Sequence, residues 1–343
     1  MVNSTQGVAQ GSEVFEIDYL WVGEHTNTGD AIAVRFTDPS SNTNRIVVVD
    51  GGFADTAVRI ADHVRTYYNT SVVDLVVCTH PDDDHINGLF GLFEELTIRN
   101  LLIHRPAEHG YAGDNDVKAT KVEELVALAL SKGANIESEG FAGTQYYGGT
   151  LTIMGPSLDY YREQLAEESS AGVSATFGVT KSAAGLSPVP TDPGETLVGD
   201  NGGTTARNNS SIIINLQVEG RRALFTGDAG APALELAVAN MSTWNLAATP
   251  LNFFDVPHHG SRHNLTPELL DALLGESNAA KIGCAYVSVG KEADDFPRAE
   301  VANAIRRRGY PVYATRGQNI WWHYGSPERA AYTAIDPISW VQE

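Results

Sequence analysis

The densest group of chemically able side chains is Cys78-Thr79-His80-Pro81-Asp82-Asp83-Asp84-His85, in which His80, Asp82, Asp83, Asp84 and His85 are all potential metal ligands. Three consecutive carboxylates repel one another, and two imidazoles among them make sense chiefly if a divalent cation neutralises the group. Asp84 alone would serve as a cap for a following helix, but capping leaves His80, Asp82 and His85 unexplained. A second feature is Thr226-Gly227-Asp228, a carboxylate after an apolar run, beside a glycine that permits close backbone approach. Read alone, it is equally a turn Asp ahead of a helix. A third is the pair His258-His259, followed by Gly260-Ser261-Arg262-His263, whose last three side chains are donors for an anionic substrate.

Strands must deliver these groups. Val72–Cys78 reads as a short, fully buried strand, and the cluster begins at its C-terminal end, where open α/β sheets build sites. Before it, alternation predicts strands at Val14–Val22, Ala31–Phe36 and Arg45–Asp50, then a helix over Ala54–Tyr68. After it come a helix at Ile86–Leu96, a strand at Asn100–His104, a helix at Ala119–Lys132, and strands near Ala134–Glu137 and Thr150–Met154. Residues 157–206, rich in Ser, Ala, Gly, Thr and Pro, read as an insertion or flap over a site, with a short helix at Leu158–Glu168. The pattern then resumes. Strands are expected at Ser210–Val218, Arg222–Thr226, Leu251–Val256, Cys284–Val289, Val312–Ala314 and Asn319–Tyr324, with helices at Ala231–Asn240, Pro267–Leu274 and Arg298–Arg308. The two similar βα halves imply one domain over 1–343 rather than two.

Composition narrows the partners. With 42% hydrophobic and 19% charged residues the chain is an ordinary packed protein. No apolar run approaches the ~18–20 residues of a membrane helix, so no membrane partner is expected. The start, Met1-Val2-Asn3-Ser4-Thr5-Gln6, lacks the marks of a secretory signal. Cys78 and Cys284, both inside strands, are expected in the core, which fits a reduced, cytoplasmic setting. The net charge of −20 excludes a general nucleic-acid coat protein. That charge is uneven: residues 1–200 hold 29 Asp and Glu against 11 Lys and Arg, and residues 201–343 hold 14 against 12. Arg262, Lys291, Arg316 and the run Arg306-Arg307-Arg308 belong to the second part. The run by itself reads as a solvated helix end.

His80-Pro81-Asp82-Asp83-Asp84-His85 resembles the His-x-His-x-Asp-His signature of the metallo-β-lactamase superfamily, with Asp82 in place of the second His. That variant is similar to the nuclease domain of ComEC-type DNA-uptake channels. The resemblance continues through Val22-Gly23 and Gly29-Asp30, Asp50-Gly51-Gly52, Asn208-Asn209-Ser210, Phe225-Thr226-Gly227-Asp228, Val256-Pro257-His258-His259-Gly260-Ser261 and Val287-Ser288-Val289-Gly290, in the family's order. It implies a four-layer αββα sandwich, two βα halves packed sheet to sheet. It also implies one or two divalent ions per chain: His80 and Asp82 on one, Asp84 and His85 on the other, Asp228 bridging, and His258 as the last metal ligand. In an extended segment one of His258 and His259 would ligate and the other would meet substrate or a carboxylate, with His258 favoured for the metal. Two departures stand out. Only Asn208 and Asn209 precede Asp228 where the superfamily has a further His, and Phe296-Pro297 replaces a His-Pro pair. His104 and His109 come too early to supply that ligand and are expected at the surface or behind the site.

Asp82, Asp84 and Asp228 make the ligand set rich in oxygen, which favours manganese, with zinc next. The expected activity is metal-dependent hydrolysis by an activated water, most simply of a phosphodiester, as a phosphodiesterase or nuclease. Asp84 and Asp228 would act at the metal, and His259, His263 or Arg262 would steady developing charge or protonate the leaving group. A short or single-stranded nucleic acid or a nucleotide is then the expected substrate. The alternative on the same fold is a hydrolase of a small ester, lactone, lactam or thioester.

Overall fold

The computed structural model describes residues 13–111, 117–171, 195–197, 203–246, 249–277, 282–332 and 334–341. Alternation along the strands decides the layers. In Phe15–Tyr19, side chains at Phe15, Ile17 and Tyr19 enter one core while Glu16 and Asp18 lie on the opposite face. In the same way Ile212 and Ile214 join that core while Ile213 joins another.

Two seven-stranded sheets result. From edge to edge the first runs Ile320–Tyr324, Phe15–Tyr19, Ile32–Asp38, Thr43–Val49, Leu75–Val77, Asn100–Leu102 and Asn135–Glu137. Its pairings are antiparallel as far as Thr43–Val49 and parallel beyond. The second runs Val312–Ala314, Cys284–Val287, Phe253–Asp255, Arg221–Phe225, Ile213–Val218, Leu151–Gly155 and Gln145–Tyr146. Its first four strands are parallel and the rest antiparallel. Phe15, Ile17, Phe36, Leu151, Ile153, Phe225 and Phe253 fill the space between the sheets. The helices Thr56–Tyr67, Asp83–Glu95 and Val117–Ser131 cover the first sheet through Ile60, Val64, Leu89, Leu92 and Leu125. Ala231–Thr243, Pro267–Leu274 and Ala299–Arg307 cover the second through Leu234, Ala237, Leu270, Val301 and Ile305. Three apolar layers between four layers of structure make the expected αββα sandwich.

Several sequence expectations need correction. Val72–Cys78 is not one strand: Asp74 splits it into Val72–Val73 and Leu75–Val77, its carboxylate accepting from the Ile46 amide at 2.9 Å and from Arg99 at 2.9 Å. Nor are the halves closed in sequence. Ile320–Tyr324 crosses to the first sheet and pairs with Phe15–Tyr19, which would otherwise be an open edge. Arg308 is buried rather than solvated, binding Asp271, Glu195 and the Pro267 carbonyl, while Arg306 and Arg307 lie over the Trp340 ring. Within the expected insertion, Leu158–Ala171 is a helix packed on Phe141 through Tyr161 and Leu165, and a short helix, Ala206–Asn209, begins at the last residue of the stretch. Residues 172–194 and 198–202 of that stretch lie outside the described residues, as does the start at Met1. Among the described residues no helix is long and apolar enough to cross a membrane.

Candidate metal centre

Parallel strands from both sheets end at one edge of the sandwich. Thr43–Val49 leads to Asp50, Leu75–Val77 to Thr79 and His80, Arg221–Phe225 to Asp228, and Phe253–Asp255 to His258 and His259. The sheets are tied there by the Ile212 amide donating to the Thr79 carbonyl at 3.0 Å, and within the second sheet the His258 amide donates to the Gly227 carbonyl at 3.1 Å. Gly227 has φ +50°, and a Cβ on it would lie 3.0 Å from Thr79 Oγ1. The helix expected from Ile86 begins earlier, at Asp83, with Asp82 as its N-cap residue. Its first turn therefore sends Asp84 and His85 inward, while Asp83 turns outward to Lys118 at 2.8 Å and to Lys121. The helix sits so close to the end of the strand Thr43–Val49 that a Cβ on Gly88 would lie 1.8 Å from the Gly51 carbonyl oxygen.

The inward side chains converge. His80 Nε2 lies 3.7 Å from Asp82 Oδ2 and 3.8 Å from Asp228 Oδ2. His258 Nε2 is 3.6 Å from that same Asp228 oxygen. On the other side, His85 Nε2 lies 3.4 Å from Asp228 Oδ1 and 3.9 Å from Asp84 Oδ2, and His259 Nε2 is 3.6 Å from Asp84 Oδ2. Asp30, His85, Asp228 and His259 are all buried and offer ligand atoms within 4.8 Å of one another. Atoms bound to one ion at about 2.0–2.2 Å stand roughly 3–4 Å apart, so these spacings suit coordination.

Surrounding groups orient the ligands. Asp50 Oδ2 takes the Nδ1 proton of His85 at 2.8 Å, while Asp50 also accepts from the Thr79 amide and hydroxyl. That bond turns His85 Nε2 to the centre, the arrangement by which carboxylates aim metal-binding imidazoles. Asn264 does the same for His258, its Oδ1 lying 3.2 Å from Nδ1, and its amide nitrogen donates to the Asp228 and Ala229 carbonyls. Thr79 and Ser211 hydroxyls flank His80 Nδ1 at 3.1 and 3.4 Å.

Electrostatics describe a centre that holds charge but leaves it incompletely paired. Burial resists ionisation of Asp228, yet His258, His85 and His259 outweigh it and hold its carboxyl well below the usual range. Burial likewise disfavours charge on His85, but Asp228, Asp84 and Asp50 raise it well above the ordinary histidine value. Against the same burial penalty, Asp30 and Asp228 push His259 up to about 9. His258 is lowered, because burial there outweighs the pull of Asp228. Behind them, burial and the neighbouring Asp30 raise Asp255 to about 8, with Tyr19 donating to it at 2.6 Å. Despite this company, His80 Nε2, His85 Nε2, Asp228 Oδ1 and both ring nitrogens of His259 are buried without a hydrogen-bond partner. One such atom costs about 1–3 kcal/mol, so their gathering at one point fits a bound divalent ion.

His80, Asp82, Asp84, His85, Asp228 and His258 are thus all brought together. Asp82 stands at the rim, 3.3 Å from Arg207 and 3.7 Å from Lys118. His259 departs from expectation: its segment is not extended but a tight turn, with φ +50° at His258 and +56° at His259, so both rings face the centre. Arg262 is exposed on the following turn, and among the described residues no ion pair brings it to the cluster. His104 and His109 are not surface groups; they are buried against Phe141 and Tyr161, and burial drives His104 down to about 3. Cys78 and Cys284 are buried and form no disulfide, as expected. Sequence reasoning did not single out Asp30, Asp50 and Asn264 as site residues. Asp30 and Asp50 follow or precede glycines at strand ends, a readable signal; Asn264 carries none.

Known proteins can be set beside this geometry. The model of the metallo-β-lactamase superfamily matches residues 28–276. Similar solved structures include a motif variant of a metallo-β-lactamase from Cronobacter sakazakii, 13% identical, covering 84% of this chain and 89% of that one with a TM-score of 0.35. The Rm3 metallo-β-lactamase is 14% identical, with 84% and 90% covered and a TM-score of 0.33. A variant of the CmlA β-hydroxylase is 10% identical, with 91% and 54% covered and a TM-score of 0.45. No curated protein matches the chain.

Proposed function

The chain belongs to the metallo-β-lactamase superfamily, and from that premise we propose that it is a metal-dependent phosphodiesterase or nuclease acting on a short or single-stranded nucleic acid or a nucleotide. The observation that carries this reading is Asp82. Its carboxylate takes a ligand position beside His80 while Arg207 and Lys118 stand against it at the rim. An oxygen-rich ligand set suits manganese ahead of zinc, and cations at the rim suit an anionic substrate. The likeness of His80-Pro81-Asp82-Asp83-Asp84-His85 to the ComEC-type nuclease signature supports the same choice.

His80, Asp82, Asp84, His85, Asp228 and His258 are the residues that would hold the metal. A divalent ion held there would supply Lewis-acid polarisation of the scissile group and lower the pKa of a water toward neutrality. The chain's own residues do the rest. Asp50 and Asn264 fix the tautomers of His85 and His258, so that each presents a bare Nε2. Asp228 faces both sides of the centre with separate oxygens. Arg207, paired with Asp82 and Glu168, and Lys118, paired with Asp82 and Asp83, bring cations to the rim, and Ser261 and Arg262 lie on the turn that follows His258 and His259.

The test is turnover by the Mn²⁺- and Zn²⁺-loaded protein of single-stranded DNA, bis(p-nitrophenyl) phosphate and a panel of lactams, lactones and thioesters. Phosphodiester cleavage that requires added metal is expected. Turnover confined to the lactam, lactone or thioester panel would replace this reading with small-ester hydrolysis on the same fold.

A further inference from the structure

We propose that the adjacent histidines serve different ions: His258 completes the position formed by His80 and Asp82, and His259 the position formed by Asp84 and His85. This rests on the metal-dependent hydrolase reading above and says how the chain builds a two-ion centre without the usual imidazole ahead of Asp228.

The two carboxylate oxygens of Asp228 divide the centre. Oδ2 faces His80 Nε2 at 3.8 Å and His258 Nε2 at 3.6 Å. Oδ1 faces His85 Nε2 at 3.4 Å. His259 joins that second side through Asp84 Oδ2 at 3.6 Å, and its other ring nitrogen lies 3.8 Å from Asp30. Neither nitrogen of His259 has a hydrogen-bond partner although the side chain is 5% exposed.

Backbone geometry makes the division possible. Successive residues of an extended strand point to opposite faces, which would give the centre one histidine and deny it the other. Here both residues occupy the left-handed region, uncommon outside glycine. The rings stand 6.1 Å apart with their planes at 70°, His258 Nε2 reaching Asp228 Oδ2 and His259 Nε2 reaching Asp84 Oδ2. The turn is held from both sides: the His258 amide donates to the Gly227 carbonyl, the Ser261 amide to the His258 carbonyl.

Asn208 shows why the first position needs His258. The short helix Ala206–Asn209 brings an amide, not an imidazole, to the Oδ2 side, with Asn208 Nδ2 at 3.5 Å from Asp228 Oδ2 and 3.5 Å from His258 Nδ1. A neutral amide is a weak ligand. His258 stands beside it with Nδ1 engaged by Asn264 and Nε2 directed at Asp228.

Elemental analysis of the full chain, saturated with Zn²⁺ or Mn²⁺ and desalted, tests the division without reference to turnover. The wild type should hold about two ions, and His258→Asn and His259→Asn about one each. Double variants separate the positions. His258→Asn with His80→Asn damages one position twice and should still hold about one ion; His258→Asn with His85→Asn damages both and should hold close to none. The reverse pattern, or single variants that retain both ions, would overturn the division. Circular dichroism of each variant checks folding. If a variant does not fold, anomalous diffraction from crystals of the metal-loaded wild type decides: the two Nε2 atoms on different ions support the proposal, and both on one ion, or either on none, overturns it. A wild type that takes up no metal would overturn the hydrolase reading together with this one.

Discussion

Among the buried carboxylates of the described residues, those on the strand Phe15–Tyr19 and those at the metal centre are neutralised in opposite ways. Glu16 and Asp18, both 0% exposed, occupy the outer face of the strand Phe15–Tyr19. Arg329, from the segment after the last strand, donates to Asp18 at 2.6 Å and to Glu16 at 2.7 Å. Arg35 pairs with Glu16, Tyr68 donates to Asp18 at 2.7 Å, and Trp321 donates to Glu16 at 3.1 Å. Two carboxylates thus meet two guanidinium groups inside the chain. At the metal centre Asp30, Asp84 and Asp228 meet imidazoles, several of whose nitrogens find no partner. An ion removed from water costs several kcal/mol unless paired. Arginine pairs turn buried acids into architecture, whereas imidazoles whose nitrogens lack hydrogen-bond partners leave a place that a cation can take by displacing their protons.

The contrast breaks most visibly in activity. Asp84→Ala or Asp228→Asn should lower metal-dependent hydrolysis by a factor of about 10³ or more, equivalent to roughly 4 kcal/mol in the barrier, with circular dichroism unchanged. Retained turnover would remove these carboxylates from the site. The matching change in the other cluster, Arg329→Met, should leave turnover per folded molecule intact. Its cost is stability, about 3–5 kcal/mol by urea unfolding, because Glu16 and Asp18 keep their burial and lose their main partner.

Removing the metal is the intermediate case. A ligand at 100–1,000 times its Kd stabilises the state it binds by about 3–4 kcal/mol. Chelation should therefore lower the unfolding free energy of the wild type and of Arg329→Met by similar amounts, and that of Asp228→Asn hardly at all. An equal drop in all three would mean that the stabilising ion binds somewhere other than this centre.

The two clusters were not equally legible in the sequence. His80 to His85 stood out because ligand residue types were crowded at the end of an apolar strand, and Asp228 because a carboxylate followed a strand and a glycine. Local patterning also recovered Pro267–Leu274 and Val312–Ala314 to the residue, because a proline start and short apolar runs mark them. What stayed hidden depends on contacts distant in the chain. Glu16 and Asp18 look like the solvent side of an amphipathic strand until Arg329, over 300 residues later, closes on them. Both faces of that strand are buried, so the polar face carries no sign of burial. The paired left-handed turn at His258 and His259 was equally unreadable, since neither residue type announces it and the Gly227 and Asn264 contacts that hold it come from other segments.

The smallest effect expected concerns acid stability of the arginine-closed cluster. Burial raises the Asp18 pKa, but His63 and Arg329 outweigh burial and leave its carboxyl below the ordinary value. A lowered carboxylate binds its proton more readily in the unfolded chain, whose Asp pKa is about 3.9. The stabilisation it contributes is therefore complete above that value and is lost as pH falls through the folded pKa. In chelated protein, where the metal centre cannot mask it, unfolding free energy should fall as pH drops from about 5 to 3. Asp18→Asn should flatten that slope by up to about 1.4 kcal/mol per pH unit, the contribution of one proton. Because Asp18 belongs to the cluster that needs no cation, the flattening should be the same size in the metal-loaded protein. A flattening that appears only after chelation would show that the two clusters are coupled, and the contrast drawn between them would fail.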